Sequence, residues 1–167
     1  MIRNAIVDDA ERICELVKQR TVLRTGSELG FIEYPEHSVS WYGERIQQNK
    51  FYVVEIDRKV ESFLSVYDDL RLDEFVGDQV VDWIKKNIES PFSYFDLLAV
   101  SKEFEHCHFG KSLLEYGIMR ASKVVGAVAH SPKRNELPIR MIKKLGFELQ
   151  EEITVYNGLM FGIYVKS

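Results

Sequence analysis

Phe95-Asp-Leu-Leu-Ala-Val-Ser-Lys-Glu-Phe-Glu-His-Cys-His-Phe-Gly-Lys-Ser-Leu-Leu114 is the stretch whose reading decides the fold. It opens with a short apolar run, Leu97 to Val100, that suits a buried strand. After a polar interval the pattern changes to i, i+3, i+4, marked by Phe109, Leu113 and Ile118. The prediction is strand, loop, helix, with the first helical turn near His108 to Ser112 and Gly110 inside it. The leading N–H groups of a helix have no intrahelical partner and carry a partial positive charge, so such a turn suits an anion. Gly110 either lets a phosphate approach the backbone or simply lets the helix pack tightly on its neighbour, and one glycine does not choose between these.

Leu98-Ala99-Val100 followed by Glu105-His106-Cys107-His108-Phe109-Gly110-Lys111-Ser112-Leu113-Leu114 resembles the acyl-CoA-binding motif of the GNAT superfamily of N-acyltransferases. That motif is a strand ending Leu-Ala-Val, then Gln/Arg-x-x-Gly-x-Gly/Ala and a helix beginning with small residues and leucines. Downstream, Asn135 and then Met141-Ile142-Lys143-Lys144-Leu145-Gly146-Phe147 is similar to the family's Asn, Leu-Tyr-x-x-Leu-Gly-Phe segment. The two occur in the family's order and separation. The resemblance implies one GNAT-like N-acetyltransferase domain over residues 1–167, of α/β class. Its sheet would be mixed, mostly antiparallel, of six to seven strands splayed at the centre, with four to five helices on its faces. Three positions depart from the pattern. Glu105 stands where Gln or Arg is usual, and a carboxylate beside a diphosphate is repulsive. His108 stands at the first glycine, where an imidazole needs room. Ile142 replaces the tyrosine that often protonates the departing thiolate.

The implied reaction is acetyl transfer from acetyl-CoA to a primary amine by direct attack on the thioester. Backbone groups at Leu98, Ala99 and Val100 would bond the pantetheine and the thioester oxygen. Glu105, His106, His108, Phe109, Gly110, Lys111 and Ser112 would line the pyrophosphate, and Asn135 would contact the pantetheine arm. Glu28, Glu33 and Tyr34, with His37, fall by position on the wall of the acceptor site. For the proton, side chains 94, 96 and 98 share one strand face because strand side chains alternate. Tyr94 falls where some relatives carry a glutamate base. Asp96, the only carboxylate on that face, is the expected base or water-relay partner, although a strand carboxylate can equally be paired for structure. His130, closing a later apolar run, is a candidate for acceptor contact or proton relay, or else a satisfied core histidine. Tyr116 and Tyr156 are the candidates for the acid that Ile142 cannot be.

Composition bounds the remaining classes. The chain has 167 residues, 46% of them apolar, enough for a single core, with no signal-like segment and no apolar run long enough to span a bilayer. The expectation is a soluble cytoplasmic protein without a membrane partner. A net charge of −4 argues against nucleic acid, which calls for a basic surface. Two cysteines, Cys14 and Cys107, make no disulfide framework. His106-Cys107-His108 places three metal-capable side chains in a row, but adjacent residues rarely converge on one ion, so no metal is expected.

Along the chain, Ile2 to Val7 reads as a strand, and Asp8 or Asp9 can cap a helix with Ala10, Ile13, Leu16 and Val17 inward that ends near Leu23. Arg24 to Pro35 reads as a connection and Ser38 to Gln48 as a second helix. Phe51 to Ile56 and Val60 to Tyr67 form a hairpin about Asp57-Arg58-Lys59. Leu70 to Ile88 carries Phe75, Val76, Val80, Val81, Ile84 and Ile88 at helical spacing. Its many acidic residues either draw a cationic amine or form a solvated face. Phe92 to Val100 is the central strand, Val124 to His130 another, and Asn135 to Leu145 a helix stopped by Gly146. Phe147 to Val155 and Leu159 to Val165 close the chain as a hairpin about Asn157-Gly158, which could also pair across a homodimer. Two functions follow: an acetyl-CoA-dependent N-acetyltransferase acting on a small-molecule or peptide amine, or a non-catalytic acyl-CoA-binding or interaction domain on the same scaffold.

Overall fold

The central strand, β4, runs Ser93–Val100. A computed structural model describes it together with the rest of residues 1–20, 36–131 and 134–167. The other strands are β1 (Ile2–Asn4), β2 (Lys50–Ile56), β3 (Lys59–Asp68), β5 (Val124–Ala129), β6 (Glu148–Val155) and β7 (Leu159–Lys166). All seven join one sheet in the order β1-β2-β3-β4-β5-β7-β6. The pairs β1/β2, β2/β3, β5/β7 and β7/β6 are antiparallel, while β4 and β5 run parallel. Among the described residues five α-helices accompany the sheet: α1 (Ala10–Arg20), α2 (Val39–Gln48), α3 (Gln79–Asn87), α4 (Phe109–Ile118) and α5 (Glu136–Lys144). This is the expected α/β architecture. The parallel pairing is confined to Ser93–Phe95 against Val124–Gly126. Past it, the interior residues Asp96, Leu97 and Leu98 are only half-buried, as a strand leaving its neighbour should be.

The described chain divides into two compact units, Met1–Val66 with Leu97–Gly117, and Tyr67–Asp96 with Ile118–Ser167, so that β3 and β4 each contribute to both. In the first unit, β3 is buried on both faces from Val60 to Val66; its side chains there are apolar or small except Glu61, whose buried carboxylate is paired with Arg12 and Lys59. The β2–β3 turn puts Asp57 and Arg58 at φ 47° and 64°, the left-handed pair that matches strand twist. α1 buries Ala10, Ile13, Cys14, Leu16 and Val17 as the spacing predicts. β1 stops at Asn4 rather than Val7, because Val7–Asp9 form a 3₁₀ turn leading into α1. Asp9 fixes that turn: its Oδ2 accepts from the Ile6 amide at 2.8 Å and from Arg3 at 2.7 Å. Ser38 caps α2 by accepting from the Trp41 amide.

In the second unit the single helix expected over Leu70 to Ile88 is broken. Asp69–Glu74 is a 3₁₀ turn, Gly77 stands at φ +78°, and α3 begins only at Gln79. The left-handed glycine ends one element and Asp78 starts the next, its Oδ1 accepting from the Val80 and Val81 amides at 3.0 Å each. Of the expected apolar face, Val80, Val81 and Ile84 are buried, whereas Val76, outside the helix, is 94% exposed. Gly146 ends α5 at φ +88°. The last hairpin turns on three residues rather than two, with Val155 opposite Leu159 and Tyr156, Asn157 and Gly158 all at positive φ. No helix among the described residues is long and apolar enough to cross a membrane.

Candidate functional site

In the first unit, the second half of β4 and the turn after it form a main-chain site. Several of the strand's carbonyls and one amide are held by side chains. Ser65 Oγ accepts from the Leu97 amide at 2.9 Å, Ser62 Oγ donates to Ala99 O at 2.8 Å, and Arg20 Nε donates to Val100 O at 2.7 Å. The loop that follows is braced internally: Phe104 N–H donates to Ser101 O, Cys107 N–H to Phe104 O, and the Phe104 and Phe109 rings stack at 5.6 Å. His108 stands at φ +58°, which explains why its position suits glycine; histidine is among the side chains that enter the left-handed region with least difficulty. Its ring is exposed and asks for no space in the turn.

α4 then begins, and its first bond runs from Ser112 N–H to His108 O at 3.0 Å. The amides of Phe109, Gly110 and Lys111 precede that bond and have no partner among the described residues. This is the pattern an anion can complete. Gly110 is buried against β4: a Cβ there would meet Leu98 and Val100 side chains at 3.5 Å, ordinary contact. Its missing side chain therefore faces the strand, which favours the packing account of this glycine and leaves its amide as the ligand-directed group. Glu105 is paired with Arg20 Nη1 at 2.5 Å, so its charge is offset. His106, Cys107 and Lys111 are exposed, with Lys111 paired to Glu115 one helical turn on. Among the described residues no three metal-capable side chains converge.

The first half of β4, in the second unit, contributes side chains. Tyr94 is buried, and burial first, then Asp96 and Asp78, pushes its phenol well above the usual tyrosine range. It remains protonated at neutral pH, and Asp96, the half-buried carboxylate two residues along the same face, contributes to that shift. Tyr156 O–H donates to Asp78 Oδ1 at 2.5 Å, and its phenol is also raised, by burial and then by Asp78. Two phenols and two carboxylates thus share one polar cluster. The structure brings Tyr94 and Asp96 together as the strand alternation implies.

His130 closes β5 with both ring nitrogens engaged. Nδ1 donates to Glu152 Oε2 at 2.5 Å and Nε2 lies 3.1 Å from the Tyr164 hydroxyl, whose phenol burial pushes up. A Cβ at Gly162 would collide with Nε2, so the ring occupies space that only a glycine leaves open. Asn135, 5% exposed, bonds its amide to Ala129 O and accepts from the Ile139 amide as α5 begins. Tyr116 is edge-on to Tyr52 at 5.0 Å in the first unit. His37 stacks on Trp41 at 3.7 Å. Glu28, Glu33 and Tyr34, with the end of the first helix at Leu23, lie outside the described residues.

Arg20 is the residue the sequence reading missed. Its signal was a charged side chain at the end of the inward stripe of α1, where Ile13, Leu16 and Val17 are buried. Gly77-Asp78 ahead of an apolar periodic segment is a helix-start signal that the surrounding acidic run hides.

A mixed sheet whose central parallel pair stops after three residues, followed by a left-handed turn into a helix, is the fold of the GNAT acetyltransferases, and the chain has that fold. An acetyltransferase of the GNAT family from Streptococcus agalactiae 2603 superposes with a TM-score of 0.71 at 18% identity, over 99% of this chain and 94% of that one. An N-acetyltransferase from Staphylococcus aureus Mu50 gives 0.68 at 16% identity over 100% and 97%. The polyamine N-acetyltransferase of Drosophila melanogaster, which forms N-acetylagmatine, gives 0.68 at 10% identity over 99% and 98%. No family model and no curated protein matches the sequence.

Proposed function

We propose that this chain is an acetyl-CoA-dependent N-acetyltransferase acting on a primary amine, either a small molecule or a peptide. The observation that carries the reading is the set of amides at Phe109, Gly110 and Lys111, unpartnered among the described residues and presented by the left-handed His108 at the end of the loop that follows β4. An acyl donor held there by its diphosphate would lay its thioester along β4. Asp96 and Ala99 are three residues apart in that strand, about 10 Å.

The amine nitrogen attacks the thioester carbonyl carbon, main-chain groups near Leu98 to Val100 stabilise the oxyanion, and the C–S bond breaks on collapse. Asp96 takes a proton from the substrate ammonium, directly or through water, and so frees the amine for attack. The leaving thiolate takes a proton from solvent, which a thiol pKa of about 8.5 permits without a dedicated acid. The buried aliphatic Ile142 at the usual acid position is the one observation that favours the second reading, an acyl-CoA-binding domain without turnover. Thiol release from acetyl-CoA across an amine panel, run beside a calorimetric titration with acetyl-CoA, separates them. Binding with turnover is expected. Binding alone supports the second reading, and neither removes both.

A further inference from the structure

We propose that Arg20 positions the phosphate-binding turn and masks the charge of Glu105, so that donor affinity depends on a residue 85 positions away in sequence from the loop it serves. The inference rests on the acetyl-CoA reading above. Arg20 is the last residue of α1 and is buried, with 9% of its side chain accessible. One guanidinium makes two ties: Nε to Val100 O at 2.7 Å, at the end of β4, and Nη1 to Glu105 Oε1 at 2.5 Å, inside the loop. The path from Val100 to the His108 turn is thereby pinned at both of its early points. The planar fork of arginine suits two acceptors on different elements, which a lysine point charge cannot serve in the same geometry.

The same pair has an electrostatic consequence. Glu105 is four residues before Phe109, so their α-carbons are at most ~14 Å apart by chain length alone. Left unpaired, it would repel a diphosphate there, and roughly ten-fold in affinity is the size of effect that one such charge exerts on a doubly charged anion at that range. A strut alone and a strut that also masks charge predict opposite results when the second partner is removed.

Acetyl-CoA affinity is measured by calorimetry for the full chain and for Arg20→Met, Glu105→Gln and the double variant, with thermal unfolding as the fold control. Arg20→Met is expected to bind roughly ten-fold more weakly, by an amount that shrinks at high salt because the repulsion is screened. Adding Glu105→Gln to it should restore most of that loss. Glu105→Gln alone should bind as well as the parent or better, since it leaves the arginine beside the diphosphate. If Arg20→Met does not fold, Arg20→Lys with and without Glu105→Gln reads the same comparison at smaller amplitude. Equal binding by a folded Arg20→Met overturns the inference, as does a double variant weaker than the single. A parent chain that does not bind acetyl-CoA at all sinks the function itself, which is a different outcome.

Discussion

The two halves of β4 are put to different chemical use. From Ser93 to Asp96 the strand offers side chains, a buried phenol on a carboxylate. From Leu97 to Val100 its main-chain groups are held by Ser65, Ser62 and Arg20. A site made of side chains is only as good as the residue at each position. A main-chain site depends on the backbone path, and any side chain that allows the path will serve. That is why a histidine can stand at His108, in a left-handed conformation that glycine usually supplies, while Asp96 has no equivalent substitute on its face of the strand.

The largest expected effect tests the side-chain half. Asp96→Asn keeps the shape but abolishes the base. Turnover should fall by roughly 10²- to 10⁴-fold while the acetyl-CoA KM stays within about two-fold. Unchanged turnover would reject Asp96 as the base.

A control comes next, in the same unit as the main-chain half but away from it. Burial alone would push the Asp9 carboxyl up, but hydrogen bonds from Arg3 and the Ile6 amide outweigh it and hold the group below its usual range. A depressed folded pKa stabilises the fold above the unfolded value, near 3.9, and that stabilisation disappears as pH falls through the folded one. Asp9→Asn should therefore cost about 1–3 kcal/mol at pH 7, read by denaturant unfolding, and clearly less at pH 3. Donor affinity at pH 7 should not move. A cost that is independent of pH would mean the Arg3 pair contributes nothing.

His108 probes the main-chain half directly. Valine is branched at Cβ and enters the left-handed region poorly, so His108→Val should destabilise by about 1–2 kcal/mol and weaken acetyl-CoA binding as the turn relaxes. His108→Gly should relieve strain and retain binding. If glycine abolishes affinity, the imidazole itself is a ligand and the turn is a side-chain site after all.

What the residues disclosed in advance follows the same division. The strand, loop and helix around Gly110 were legible because apolar period and break are local, and the β2–β3 turn was legible for the same reason. The helix over Leu70 to Ile88 was misjudged because apolar spacing runs through Gly77-Asp78 without a phase change, so the periodicity outvoted a local break. The Arg20–Glu105 pair and the His130–Glu152–Tyr164 chain could not be seen, because each joins segments that only tertiary packing brings together. Tyr94 with Asp96 was legible because it needs only the two-residue repeat of one strand.

Gly110 gives the smallest expected change and the sharpest division between its two accounts. A methyl group there would sit at ordinary contact distance from Leu98 and Val100, so Gly110→Ala should fold normally and gain slightly from helix propensity. Since the added carbon points to the strand, the Gly110 amide keeps its direction and acetyl-CoA affinity should stay within about two-fold. Gly110→Val adds branches that the same wall cannot take without α4 moving off β4, and both stability and affinity should then fall together. Loss of affinity in Gly110→Ala with stability intact would show that the phosphate needs the space a glycine leaves, which would place the anion on the strand side of the helix rather than at its end.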